Sequence, residues 1–170
     1  VNSLLTNAEA AESDLIIFSD APKSDSDAPY VQQVRDYINE ITGFKSLTIV
    51  KRPFNMGLAN SFIDGISSVL RVHESAIFLE DDNICSPFFL NYMNNGLAKY
   101  EHNDLVSCIS GYSWPFPFTL RTPYFLRGAE TWSCATWTRA WDDFQPDPNK
   151  LMQQIISRGL VSLIDSYGNQ

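Results

Sequence analysis

Ala76-Ile77-Phe78-Leu79-Glu80-Asp81-Asp82-Asn83 joins a short apolar run to three consecutive acids and a polar Asn. A run of that length, apolar on both faces and ended by an abrupt polar break, predicts a buried β-strand. Three adjacent carboxylates repel one another, so their clustering at a strand end points to something cationic beside them. Carboxylates are hard oxygen donors and suit Mg²⁺ or Mn²⁺. Taken alone, such a triplet reads equally as a solvated acidic turn; its neighbours have to decide.

Upstream lie two similar runs. Asp14-Leu-Ile-Ile-Phe-Ser19 is of strand length and ends at Asp20. Residues 47–50 (Leu-Thr-Ile-Val) form another, running into Lys51-Arg52-Pro53-Phe54-Asn55-Met56-Gly57, a basic break with an Asn-x-Gly turn. Between them, Asp27 as a cap and Pro29 in the first turn start a helix through Thr42, which Gly43 stops. Tyr30, Val34, Tyr37, Ile38 and Ile41 give that helix one apolar face, expected to be buried. Residues 58–72 return to helical spacing through Leu58, Phe62, Ile66, Val69 and Leu70. After the acidic stretch, Ser86-Pro87 caps a helix through Tyr100, and residues 105–110 are a further strand. Residues 3–12 have helical composition.

The order α-β-α-β-α-β-α-β predicts a three-layer α/β/α domain with a mainly parallel sheet. In such sheets ligands bind beyond the carboxyl ends of the strands. Asp20, Arg52 with Asn55, and the acidic triplet fall at that end of three successive strands. The same pattern expects a strand ahead of the opening helix, so the chain reads as one domain over residues 1–170, truncated at both ends.

Composition narrows the function. The 170 residues are 44% hydrophobic and 19% charged, as in an ordinary globular domain. Twelve Lys and Arg against twenty Asp and Glu leave a net charge of −8, which argues against a nucleic-acid partner. No apolar run reaches the length of a membrane span, and no signal peptide opens the chain. Cys85, Cys108 and Cys134 share no metal-ligand spacing; as buried or free thiols they fit a reducing, cytoplasmic compartment. His73 and His102 stand alone and read as surface or core residues.

Beyond Gly111 the pattern turns aromatic and proline-rich: Tyr112-Ser-Trp-Pro-Phe-Pro-Phe, then Arg127-Gly-Ala-Glu-Thr-Trp-Ser-Cys-Ala-Thr-Trp-Thr-Arg-Ala-Trp141. Trp137 and Trp141, four apart, predict a shared helix face. The tryptophans serve either as core or as a platform on which the C–H face of a sugar stacks. Residues 151–156 predict a last amphipathic helix, and 160–164 are apolar again.

These residues resemble the GT-A fold of nucleotide-sugar-dependent glycosyltransferases, closest to the bacterial family-2-like proteins and the N-acetylglucosaminyltransferase I type. Ile17-Phe-Ser-Asp20 resembles the second-strand motif whose Asp contacts the nucleotide base. Ile77-Phe-Leu-Glu-Asp-Asp82 followed by Ser86-Pro-Phe-Phe resembles the Glu-Asp-Asp form of the DxD motif and its helix. Glu130-Thr-Trp-Ser-Cys-Ala-Thr-Trp137, continuing to Trp141, resembles the aromatic acceptor-side helix. The match runs in order over about residues 3–165.

The resemblance implies a nucleotide-sugar-binding part over about 1–110 and an acceptor-side part over about 111–170. It implies that Asp82 ligates Mn²⁺ or Mg²⁺ on the diphosphate of a UDP- or GDP-sugar. Asp81 would face the ribose or the metal, and Glu80 would support the nucleotide. Asp20 and Asn55 join them as donor contacts, with Arg52 either near the phosphates or simply solvated. Trp132 and Trp137 would bind a carbohydrate or lipid-linked acceptor, as in polysaccharide biosynthesis. An inverting transferase also needs a carboxylate base, for which Glu130 and Asp165 are the candidates; Asp142 and Asp143 read as surface acids. Two other readings stand beside this one. A nucleotidyltransferase would require a Gly-rich basic loop after the first strand. A non-catalytic domain of the same fold would bind carbohydrate through residues 112–141 without metal.

Overall fold

A computed structural model describes residues 1–113, 122–128 and 132–162. Two 3₁₀ turns, Leu4–Thr6 and Ala8–Glu12, lead into β1 (Asp14–Ser19), α1 (Ala28–Asn39), β2 (Ser46–Lys51), α2 (Leu58–Leu70) and β3 (Ser75–Leu79). Then come α3 (Phe89–Tyr100), β4 (Cys108–Ser110), β5 (Ser133–Trp137), the single turn α4 (Thr138–Trp141) and α5 (Pro148–Ser157). The protein is thus mixed α/β; strands and helices alternate as expected from β1 to β4, while the helix expected over residues 3–12 is a pair of 3₁₀ turns.

The sheet differs from the expectation of a mainly parallel one. β1 and β2 pair in parallel, from Asp14 opposite Ser46 to Ser19 opposite Lys51. The other three strands form a separate sheet in the order β3-β5-β4, with both outer strands antiparallel to β5. β5 falls where the tryptophan spacing predicts helix. Trp137 ends the strand and Trp141 ends the one-turn helix after it, so the two share no helix face. Pairing on both edges overrides the local signal, and all five residues of β5 are buried. α2 touches both sheets. Gly65 lies so close to Phe18 of β1 that a Cβ there would sit 3.2 Å from the ring. Phe62 meets Phe78 of β3 edge to face at 5.5 Å.

The main core lies between α3 and the second sheet. Met93 is fully buried among Phe89, Leu90, Leu97, Val106, Ile109, Ala135 and Trp137. The opening segment is fastened to this layer by Asn7. Its Oδ1 accepts from Leu90 N–H at 2.9 Å and its Nδ2 donates to Ser86 O at 3.1 Å. Asn7 thereby caps α3, whose own N-cap residue, Phe88, has no capping side chain. Ser86-Pro87 makes the turn before the helix, with Ser86 O accepting from Phe89 N–H at 3.1 Å.

α1 corrects a second expectation. It ends at Asn39 instead of Thr42, and Tyr30, Val34 and Tyr37 are exposed while Ile38 is buried. The inward face carries Val31, Arg35 and Ile38 instead. The middle residue is a cation that reaches over the strand ends, donating to Ser19 Oγ at 3.2 Å and Asp20 O at 3.1 Å. The helix expected over residues 151–156 is α5, which begins three residues earlier, at Pro148, with Asp147 Oδ1 accepting from Asn149 N–H at 2.9 Å as its cap. Among the described residues no helix is long and apolar enough to cross a membrane.

The junction after β5 binds two helix ends. Thr138 Oγ1 donates to Leu70 O and His73 O, both at 3.0 Å, at the end of α2. Arg139 donates to Glu101 O at 2.7 Å, Tyr100 O at 2.9 Å and Val106 O at 3.1 Å, with its guanidinium 4.4 Å from the centre of the Trp137 ring. A cation is favoured where the last carbonyls of α3 converge. Replacing Arg139 with Ala is expected to cost about 2–3 kcal/mol in urea unfolding, against less than about 0.5 kcal/mol for Arg71→Ala on the exposed surface.

Candidate functional site

The acidic triplet sits on the turn that ends β3. Asn83 closes this turn: its Oδ1 accepts from Glu80 N–H at 3.2 Å and its Nδ2 donates to Asp82 Oδ1 at 3.4 Å. Glu80 is half-buried, whereas Asp81 and Asp82 are exposed. The polar break seen in the sequence is therefore a structured turn that presents two carboxylates to water.

Asp82 opens onto a cleft of about 560 Å³. Its walls include Phe88, Tyr92, Tyr112 and Trp132, and Gly111 and Ser133 contribute to its lining. Tyr112 and Trp132 meet edge to face at 4.6 Å. Trp132 is 46% exposed, so one aromatic side chain of the pair is open to solvent. At Gly111 only glycine fits, because a Cβ would lie 2.3 Å from Ser133 Oγ and 2.6 Å from both Met93 Cε and Phe89 Cε2. The bare backbone there lets α3 close under the cleft. Burial raises the pKa of the Tyr92 phenol, and the neighbouring Tyr124 and Tyr100 add to the shift, so Tyr92 remains a hydrogen-bond donor at neutral pH.

A second group gathers at the carboxyl ends of β1 and β2. Asp20 Oδ1 accepts from Ala21 N–H at 2.9 Å and Met56 N–H at 3.0 Å, and its Oδ2 accepts from Gly57 N–H at 3.0 Å. Asn55 Nδ2 donates to Ala21 O at 2.7 Å. Gly57, at φ +72°, turns the chain into α2. Asp20 and Asn55 thus hold the β1 and β2 loops together, and much of the acceptor capacity of the Asp20 carboxylate is used by main-chain donors.

Arg52 is largely inward. It pairs with Asp64 and lies 5.0 Å from the centre of the Phe18 ring. Its Nη2 is the atom that meets Asp64, and its Nε is buried with no hydrogen-bond partner among the described residues.

The structure therefore brings Asp82 and Trp132 into one cleft and Asp20 and Asn55 together at the ends of β1 and β2, while the Arg52 side chain turns away to Asp64 and Phe18. Trp137 joins neither. It is 3% exposed inside the core, which corrects its reading as an acceptor platform. Trp141 is also occupied structurally, with its Nε1–H donating to Ser67 Oγ at 2.9 Å and its ring stacked on Phe144. Both base candidates, Glu130 and Asp165, lie outside the described residues. Sequence reasoning missed Phe88 and Tyr92 as cleft walls, whereas Tyr112 opens the aromatic stretch it had singled out. The spacing of Phe88 and Tyr92, one helical turn apart at the start of α3, was a signal that could have found both.

The residues present fit one kind of metal site. Among the described residues no three His, Cys, Asp or Glu side chains converge, so there is no closed cage. Mg²⁺ commonly binds through one or two carboxylates plus waters and substrate phosphates. Asp82 and Asp81, exposed on a turn at a cleft mouth, match that open type. Comparison with protein-family models, with curated proteins and with solved structures finds no match for this chain.

Proposed function

We propose that this chain is a domain of a metal-dependent glycosyltransferase, moving a hexose from a UDP- or GDP-sugar to a glycan or lipid-linked acceptor with inversion. The observation that carries this reading is that Asp82 and the exposed Trp132 line the same cleft. A carboxylate suited to a diphosphate-bound cation and an indole suited to a sugar face are what a donor and an acceptor require side by side.

In this reading Asp82 holds Mn²⁺ or Mg²⁺, with Asp81 as the second oxygen donor and Glu80 behind them. When bound, the cation neutralises the charge that builds on a departing nucleoside diphosphate. Trp132 orients the acceptor ring by stacking, and Tyr112 braces Trp132 from the side. Asp20 and Asn55 fix the loop on which a nucleotide base would rest. Removal of the acceptor hydroxyl proton falls to Glu130 or Asp165.

The aromatic pair also supports the reading of a non-catalytic carbohydrate binder. Calorimetry separates the two. Titration of UDP and GDP in Mn²⁺ is expected to give binding that a chelator abolishes. Oligosaccharide binding that persists in chelator, with no nucleotide binding under any metal, would favour the binder and overturn the transferase.

A further inference from the structure

We propose that Cys108 and Cys134 form a peroxide-reactive dithiol that closes to a disulfide between β4 and β5, on the sheet face away from α3. The proposal does not depend on the transferase reading. All three cysteines are free thiols. In the β4–β5 ladder Cys108 lies opposite Thr136 and Cys134 opposite Ser110, so the two cysteines are diagonal neighbours on one face of the sheet. The intervening residues Ile109 and Ala135 point the other way, into the α3 core.

Interaction with the Cys134 thiol lowers the Cys108 pKa to about 7 while burial opposes the shift, and the Cys134 S–H itself donates to Ala135 O at 3.7 Å. The interaction with Cys108, together with burial, raises the pKa of Cys134. The pair is therefore asymmetric, and oxidation of Cys108 removes the neighbouring thiolate whose charge helps to hold Cys134 protonated. Cys108 is half-buried and has thiolate available at neutral pH; Cys134 is 4% exposed and stays protonated. Cys85 differs from both: burial pushes its pKa up, and its main-chain N–H is bonded to Ser3 Oγ.

The chemistry balances with hydrogen peroxide as the oxidant. The Cys108 thiolate attacks one peroxide oxygen and the O–O bond breaks, giving a sulfenic acid and, after protonation, water. The Cys134 sulfur then attacks the Cys108 sulfur, forming the S–S bond as hydroxide leaves; the Cys134 proton converts it to a second water. Peroxide gains the two electrons that the thiols lose. Diagonal neighbours lie about 7–8 Å apart, beyond the usual Cα separation of a disulfide, so closure requires the edge strand β4 to shift towards β5 and the bond should be readily reduced. β4 continues into Gly111 and Tyr112, and β5 is entered through Trp132 and Ser133, so the bond would tie together the two strands that carry the aromatic pair.

The test is treatment of the folded protein with stoichiometric peroxide, alkylation after denaturation, and non-reducing peptide mass spectrometry. The expected product is an intramolecular Cys108–Cys134 cross-link with Cys85 still alkylated, fully reversed by dithiothreitol. In Cys134→Ser, Cys108 should accumulate as a sulfenic acid trapped by dimedone. Preferential oxidation of Cys85, or Cys108 oxidised to the sulfinic acid while Cys134 of the unsubstituted protein remains alkylatable, would overturn the proposal.

Discussion

Asp82→Ala is expected to weaken Mn²⁺-dependent binding of UDP or GDP by at least about 100-fold, equivalent to about 2.7 kcal/mol. A site built on one or two carboxylates has little redundancy, so losing its main ligand removes most of the protein's hold on the cation. The fold should be indifferent. Asp82 is exposed, and its side-chain hydrogen bond from Asn83 is long at 3.4 Å. Surface changes of that kind move stability by no more than about 0.5 kcal/mol. Asp81→Ala should cost less, on the order of tenfold, if it supplies the second oxygen. Calorimetry in fixed Mn²⁺, paired with thermal melts of the unliganded variants, reads both quantities. Wild-type affinity in Asp82→Ala would remove the carboxylate turn from the site.

The largest stability effect is expected at Trp137. Truncation to Ala should cost about 3–5 kcal/mol in urea unfolding, because a nearly buried indole leaves a cavity that its neighbours fill only in part. The loss extends to Arg139, whose guanidinium lies 4.4 Å from that ring centre while it holds the end of α3. Trp132→Ala should behave in the opposite way. Trp132 is half-exposed at the cleft, so the variant should stay folded and lose oligosaccharide binding. The contrast is diagnostic. A Trp137→Ala protein of normal stability that loses carbohydrate binding would reinstate Trp137 as a platform and move the acceptor surface.

The parts of the fold legible in the sequence were those written in local pattern. The apolar runs of β1, β2 and β3 each end in a polar residue, and the Ser86-Pro87 pair marks the turn into α3. β5 was not legible. Ser-Cys-Ala-Thr-Trp is small-residued and only modestly apolar, and its burial comes from partners on both edges that lie far away in the chain. Its tryptophan spacing also crosses a strand-to-helix junction, where a helical period has no meaning. The exposed face of α1 had a similar cause, since Arg35 is drawn inward by the carbonyls at the strand ends.

The site divides along the same line. Asp82 was visible because a strand breaking into three acids is unusual by itself. Its aromatic walls were not, because Tyr112 and Trp132 meet only through the pairing of β4 with β5. Asp20 was found as a polar residue at a strand end, yet its bonds to Met56 and Gly57 depend on the path of a distant loop.

The central claim is that the turn carrying Asp82 holds a divalent cation on a nucleoside diphosphate. Anomalous diffraction from crystals grown with Mn²⁺ and UDP or GDP tests it most directly. The account predicts one manganese peak at an Asp82 carboxylate oxygen, at a separation of about 2.0–2.3 Å set by hard-cation coordination, with the diphosphate on its far side in the cleft beside Trp132. A diphosphate bound with no manganese at Asp82, or manganese bound elsewhere on the chain, would contradict it.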